Sequence, residues 1–290
     1  MASCLILGIL MVSGCASGSK EEVPPEIGPV RPITDASQIA LPIEAYQMTA
    51  EEDVMLQRAV WQLTVECLER FGVEYTPPPV HPTTQVLHSR RYGLLDFESA
   101  RAWGYHGGDP TVDRAVAEAD AAEAAERDSG LVGELLFGPS DTGAGLPPGV
   151  PNDGCLNEAR RSLAQHNESY DENFLNRLAN QALALAEQDE RVQAAFAAWS
   201  ACMAEAGFTY ASPWDANNDQ WMPEVVTDHE RLVATADVSC KHETNLVGIW
   251  SAVDAAYQER LIEQNTELLT TMVETRRQLL ARAAGMVSTS

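Results

Sequence analysis

The sequence predicts an all-α fold: disulfide-stapled helix–loop–helix repeats, long irregular connectors and a long C-terminal helix. Three observations carry this prediction. Apolar residues recur three to four apart between cap signals, no alternating β-branched runs occur, and one cysteine-centred helix ending is written twice. The chain has 290 residues, enough to bury a substantial core, and its 45% hydrophobic and 21% charged content is that of a globular protein.

The first strong helix is predicted from about Ala50 to Phe71. Thr49 and Glu52 have capping-box spacing, Gly72 supplies the stop, and Leu56, Val60, Leu63, Cys67 and Phe71 share one face. A second helix opens near Leu156 and continues, with a break, through Leu185. A third runs from an Asp189 cap to Ala206. The last starts at Thr227, where Thr227 and Glu230 repeat the capping-box spacing, and extends to about Ala284 with room for a kink near Cys240. Its apolar stripe is Leu246, Trp250, Val253, Tyr257, Leu261, Leu268, Met272 and Leu279.

Between these helices, 73–151 reads as irregular. It holds Pro77-Pro78-Pro79, a short helical candidate at Phe97–Trp103, an Ala/Glu/Asp-rich stretch without an apolar face (Ala115–Arg127), and a Gly/Pro-rich loop at Phe137–Pro151.

The repeat emerges when two helix ends are aligned. Cys67-Leu-Glu-Arg-Phe-Gly72-Val-Glu-Tyr75-Thr-Pro-Pro78 matches Cys202-Met-Ala-Glu-Ala-Gly207-Phe-Thr-Tyr210-Ala-Ser-Pro213 without gaps. In each copy the cysteine falls in the last helical turns, the glycine ends the helix, and the tyrosine can fold back over it. A further cysteine follows each copy, Cys155 and Cys240. The repeat favours the pairs Cys67–Cys155 and Cys202–Cys240, with the nested pairing as the alternative. A zinc site would call for close Cys-x-x-Cys pairs, and a catalytic thiol for a free cysteine with a positioned histidine; the repeat argues for staples instead.

The N-terminus carries an address. Leu5–Val12 is a short apolar run of signal-core length, ending in Val12-Ser13-Gly14-Cys15, the pattern of a bacterial lipobox in which the cysteine thiol takes the lipid. The preceding Met-Ala-Ser-Cys carries no Lys or Arg, a departure from the usual basic start. The chain therefore divides into a signal peptide (1–14), a flexible Pro/Gly/Ser-rich tether (15–47), a first helical unit with a long loop insertion (48–170) and a second with the long C-terminal helix (171–290). Lipid on Cys15 would hold the protein on the outer face of the cytoplasmic membrane.

The composition excludes some functions. Forty-three Asp and Glu against 19 Lys and Arg give a formal charge of −24, which argues against nucleic acid as a partner and against electrostatic docking on anionic lipid. No phosphate loop, dinucleotide fingerprint or Gly-x-Ser-x-Gly is present, so no cofactor and no catalytic residue set is assigned. Asp215-Ala-Asn217-Asn-Asp219 resembles the start of a calcium loop, but Gln220 stands where glycine is needed and Val226 where glutamate is, so it reads as a polar turn. The histidines at 81, 88, 106, 166, 229 and 242 show no ligand spacing. Aromatics at Trp103–His106 and Trp214–Trp221, with Asp96 and Glu98 nearby, are the candidates for a sugar groove.

Taken together, the lipobox, the repeated Cys-x4-Gly-x2-Tyr helix ending, Arg91-Tyr92-Gly93, Gly104-Tyr105-His106, Gly154-Cys155-x-x-Glu158-Ala159-Arg160, and Asp237-Val238-x-Cys240-Lys241 with Asn245-Leu246-Val247 resemble a group of lipoproteins exported by actinobacteria. The resemblance spans nearly the whole mature chain and implies surface anchoring and paired disulfides, but no particular activity. The expected role is binding or scaffolding in the cell envelope, with an envelope protein or wall glycan as partner. The alternative is a cell-wall hydrolase or carbohydrate-binding protein.

Overall fold

Eleven α-helices and no strand occur among the described residues of the computed structural model, which are 23–82, 88, 90–139, 146–164, 170–222 and 224–287. In chain order they are α1 (Ala50–Glu69), α2 (Phe97–Trp103), α3 (Pro110–Arg127), α4 (Gly130–Phe137), α5 (Gly154–Ala164), α6 (Glu172–Gln188), α7 (Glu190–Glu205), α8 (Pro213–Asn217), α9 (Asp228–Glu243), α10 (Leu246–Gln264) and α11 (Thr266–Val287). Val12-Ser13-Gly14-Cys15, with its expected lipobox and lipidation site, lies outside the described residues.

The capping signals act as their chemistry requires. Thr49 Oγ1 accepts from the Glu52 N–H at 3.2 Å, and the Glu52 carboxylate accepts from the Thr49 N–H at 2.9 Å. The two repeat copies end their helices with the same backbone pattern. After α1, Val73 N–H donates to Leu68 O and Gly72 N–H to Glu69 O; after α7, Phe208 N–H donates to Met203 O and Gly207 N–H to Ala204 O. Gly72 and Gly207 have φ of 75° and 91°, the left-handed turn that lets the chain leave the helix. Both tyrosine hydroxyls then donate to an aspartate, Tyr75 to Asp128 at 2.9 Å and Tyr210 to Asp219 at 2.7 Å.

Both staples form in the pairing that the repeat favours. Cys67 joins Cys155 and Cys202 joins Cys240, with Cα–Cα separations of 5.6 and 5.7 Å. The second arms are not equivalent: Cys155 opens α5, whereas Cys240 lies in the last turn of α9.

The main core is built by α6, α7, α9 and α10 around Trp199, Trp250, Leu175, Met203 and Leu246, all fully buried. A second core joins α1, α4 and α5 around the Cys67–Cys155 pair with Leu68, Leu135 and Leu136. Between them Ala59, Leu163 and Ala283 pack α1, α5 and α11 together.

The C-terminal third is not one continuous helix. Asn245 adopts φ 51°, ψ 35°, a left-handed conformation through which helical bonding cannot pass, and α10 restarts behind it. A second break falls at Asn265, leaving the 22-residue α11 as the long terminal helix. Across that break the buried face continues through Leu261, Leu269 and Met272, and Leu268, expected in the stripe, stands 44% exposed. The region 73–151 is also more helical than expected, with α2 where it was predicted, α3 exposed from Asp113 to Glu123, and an additional α4 that buries Leu135 and Leu136.

The described part of the expected tether is docked. Ile33, Ile39, Leu41 and Ile43 are buried in the main core, each worth roughly 1.5–3 kcal/mol on full burial. Backbone groups of this strap are taken by side chains far along the chain: Val23 O by Arg260, Pro25 O by Arg191, Ile33 N–H by Asn245 and Ile43 N–H by Gln258. The Pro-rich composition resembles a linker, but four well-spaced aliphatic anchors make it part of the fold.

Candidate functional site

The connector 90–108 is pressed onto α9 and α10 by three buried polar clusters. Each cluster uses residues from the motifs that carry the resemblance.

In the first, Arg91 forms a two-point pair with Asp254, Nε to Oδ2 at 2.7 Å and Nη2 to Oδ1 at 3.1 Å, and Nη2 also donates to Ala179 O. Tyr92 OH donates to Asp254 Oδ2 at 2.6 Å and Gln258 Nε2 to Oδ1 at 3.0 Å, so the carboxylate is saturated. Burial, and then the Asp254 charge, push the Tyr92 hydroxyl well above its ordinary pKa.

In the second, Lys241 Nζ donates to Asp237 Oδ2 and to Leu94 O, both at 2.9 Å, and Trp199 Nε1 donates to Asp237 Oδ1 at 3.0 Å. Gly93, at φ +78°, leaves the room that Lys241 needs: a Cβ there would stand 2.8 Å from Nζ. Burial raises the Asp237 pKa even though Lys241 and Trp199 oppose it.

In the third, the fully buried Glu230 accepts from Tyr105 N–H and pairs with His106 Nδ1, both at 2.9 Å on Oε1. Gly104 makes the approach possible, since a Cβ there would fall 2.5 Å from that oxygen. Glu230 Oε2 and the Tyr105 hydroxyl are buried with no hydrogen-bond partner among the described residues. Burial and then the Asp237 charge push the Tyr105 hydroxyl far up.

Above Glu230 the two aromatic loops meet. Tyr105 stacks on Trp221 with centroids 5.7 Å apart, and Trp221 lies 6.0 Å from the His229 ring. His106, its Nδ1 held by Glu230, keeps Nε2 as its remaining nitrogen. Such a carboxylate-oriented imidazole can bind a polar ligand group or move a proton.

The rest of the nominated groove is used differently. Trp214 turns inward, edge-on to Trp250, with Nε1 on Glu187. Asp96 caps α2, and Glu98 projects into solvent toward Arg101. The resemblance to a calcium loop resolves into helix and turn contacts: Asp215 caps α8 through Ser212, and Asp219 accepts from Tyr210 and the Gln220 N–H. Among the described residues no group of three or more His, Cys, Asp or Glu is placed to hold a metal, and no helix is long and apolar enough to cross a membrane.

Open clefts lie away from these clusters. One of about 400 Å³ separates the strap from α10, between Arg31, Gln38, Ser251 and Glu259. Another of about 380 Å³ lies along α1, floored by Trp61, Val65, Pro77 and Pro78.

Asp254 and Gln258 belong to no motif in the sequence, and Glu230 stands there only as the second member of a capping-box spacing. Arg91-Tyr92-Gly93, Gly104-Tyr105-His106 and Asp237 with Lys241, none of them a predicted site residue, belong to the motifs that carry the resemblance and converge here. No protein-family model matches the chain, and the searches of curated proteins and of solved structures gave no match either.

Proposed function

We propose that this protein is a lipid-anchored, extracytoplasmic helical body that acts by binding or scaffolding in the cell envelope, in line with its resemblance to exported actinobacterial lipoproteins. The observation that carries the reading is the pair of disulfides, Cys67–Cys155 and Cys202–Cys240, in a chain whose Val12-Ser13-Gly14-Cys15 has the lipobox pattern. Structural disulfides belong to oxidising compartments. Two acyl chains on Cys15 would anchor an acidic body without help from basic residues. The Arg91–Asp254 and Lys241–Asp237 pairs are engaged in holding the connector, which gives those charges a structural role. Fractionation of cells making the Cys15→Ser variant tests the anchor: loss from the membrane fraction is expected, and full retention overturns it.

A second reading, a wall-directed hydrolase or carbohydrate-binding protein, is favoured by one arrangement, the Tyr105–Trp221 stack beside the Glu230–His106 pair. Zymography on peptidoglycan and pull-down on purified wall separate the two. Cleared gel supports the enzyme, and retention on wall without clearing supports the glycan binder.

A further inference from the structure

We propose that the cleft between the strap and α10 binds a short zwitterionic peptide, its carboxylate on Arg31 and its ammonium on Glu259. The site depends neither on the lipid anchor nor on the Tyr105–Trp221 face.

The strap is pinned at both ends and stands off in between. Arg260 Nη2 donates to Val23 O at 2.7 Å, and Asn245 Oδ1 accepts from Ile33 N–H at 3.4 Å, so the strap runs antiparallel to α10. Near Asn245 it rests directly on the helix: a Cβ at Gly248 would fall 2.1 Å from Arg31 O. Farther along it leaves room, and a Cβ at Gly28 would meet nothing within 4 Å. Pro29 and Pro32, with φ fixed by their rings, stiffen the rim against collapse. On the helix side the walls are Ala252, Ala255 and Ala256, too small to close the gap. About 400 Å³ remains, within the range of small-ligand sites.

The polar groups on these walls are free to take a ligand. Arg31 and Glu259 are exposed, and among the described residues neither side chain has an ionic or hydrogen-bond partner. Gln38 turns Oε1 back to the N–H groups of Thr34 and Asp35, at 2.8 and 3.1 Å, which leaves Nε2 as a donor. Ser251 is only 8% exposed, and its hydroxyl reaches Gly248 O at a long 3.4 Å, so its oxygen can still accept. A donor and an acceptor between two opposite charges match a peptide backbone with charged ends, the carboxylate fitting the guanidinium fork.

Length and charge narrow the ligand. From Gly248, where Arg31 rests, to Glu259 the helix rises about 16 Å. A free amino acid cannot reach both charges, whereas four extended residues span about 13–14 Å and the two side chains supply the rest. The formal charge of −24 repels an anion but not a neutral zwitterion. The alanine walls let the peptide backbone approach closely.

Calorimetric titration of the full chain with tetraalanine tests the site. Binding in the millimolar range or tighter is expected, weakened about tenfold by amidating the peptide's C-terminus and about tenfold by acetylating its N-terminus. Arg31→Ala should reproduce the loss on amidation and no longer respond to it, and Glu259→Gln should do the same for acetylation. Ala252→Phe, which fills the cleft, should abolish binding. Circular dichroism checks that each variant is folded; should Ala252→Phe misfold, the two exposed variants decide. Absence of binding heat up to the solubility limit of the peptide overturns the proposal, as does equal affinity for the free and doubly capped peptides. Affinity unchanged in both Arg31→Ala and Glu259→Gln puts the peptide elsewhere and overturns it equally.

Discussion

Arg91 and Asp254 stand 163 residues apart in the chain and meet in a two-point ion pair whose side chains are 9% and 0% exposed. Removing one partner strands the other charge in the interior. Arg91→Ala or Asp254→Ala should therefore cost about 3–5 kcal/mol, which lowers the melting temperature by roughly 10 °C in a chain of this size. Replacing both by apolar residues of similar volume should cost less than either single change. Calorimetry of the two single variants and the double variant checks this; equal losses in all three would show that packing, not charge pairing, matters here.

The strap should behave as core. Ile43 is 1% exposed, and Ile43→Ala should destabilise by about 2–5 kcal/mol in urea unfolding. A loss below about half a kcal/mol would mean that the strap detaches without disturbing the rest.

The staples close loops with sequence separations of 38 and 88 residues. On the chain-entropy account, replacing Cys202 and Cys240 by serine should cost about 4 kcal/mol, and replacing Cys67 and Cys155 about 5 kcal/mol. Non-reducing peptide mapping should recover both cross-links, and four alkylatable thiols in the native protein would refute them.

Asp189 gives a defined acid response. Hydrogen bonds from the Arg191 side chain hold its carboxyl below the ordinary aspartate pKa. The unfolded chain then binds more protons than the native one in acid, so this contribution is complete above the unfolded pKa and is lost as pH falls through the native value. Melting temperature measured from about pH 5 down to pH 2 should fall more steeply for the parent than for Asp189→Asn, since an aspartate pKa near 4 sets the top of that window. Identical slopes would remove Asp189 from the account.

Gly104 should tolerate no side chain. At φ +58° and against Glu230, Gly104→Ala should cost on the order of 1–3 kcal/mol in backbone strain alone and loosen the Tyr105–Trp221 stack. Near-UV circular dichroism and urea midpoints report both effects.

Local chemistry was the part of this fold that could be read in advance. The Thr49–Glu52 cap, the Gly72 and Gly207 stops and the cysteine pairing depend on residues a few positions apart or on a repeat visible by alignment. Glu230 marks the boundary of that legibility. Its spacing from Thr227 is that of a capping box, and Thr227 Oγ1 does accept from its N–H, yet its carboxylate turns inward to Tyr105 and His106. Lys241 and Asp237 have the spacing of an ordinary surface pair on a helix; only the connector laid over them, with Leu94 O on Nζ, makes them interior. The break at Asn245 went unread because asparagine is one of the few residues other than glycine to enter the left-handed region with ease, and that at Asn265, where φ is −119°, because an apolar stripe on both sides hides the interruption.

The docked strap also sets an order of assembly. A growing chain releases residues 23–47 first, but the groups that hold them, on Arg191, Asn245, Gln258, Arg260 and Arg276, lie up to 237 residues downstream. Loop closure over such separations is slow, so the strap should be among the last parts to settle. Until α10 and α11 are in place, Ile33, Ile39, Leu41 and Ile43 have no core to enter. That interval is when the nascent protein is most open to a chaperone or a protease.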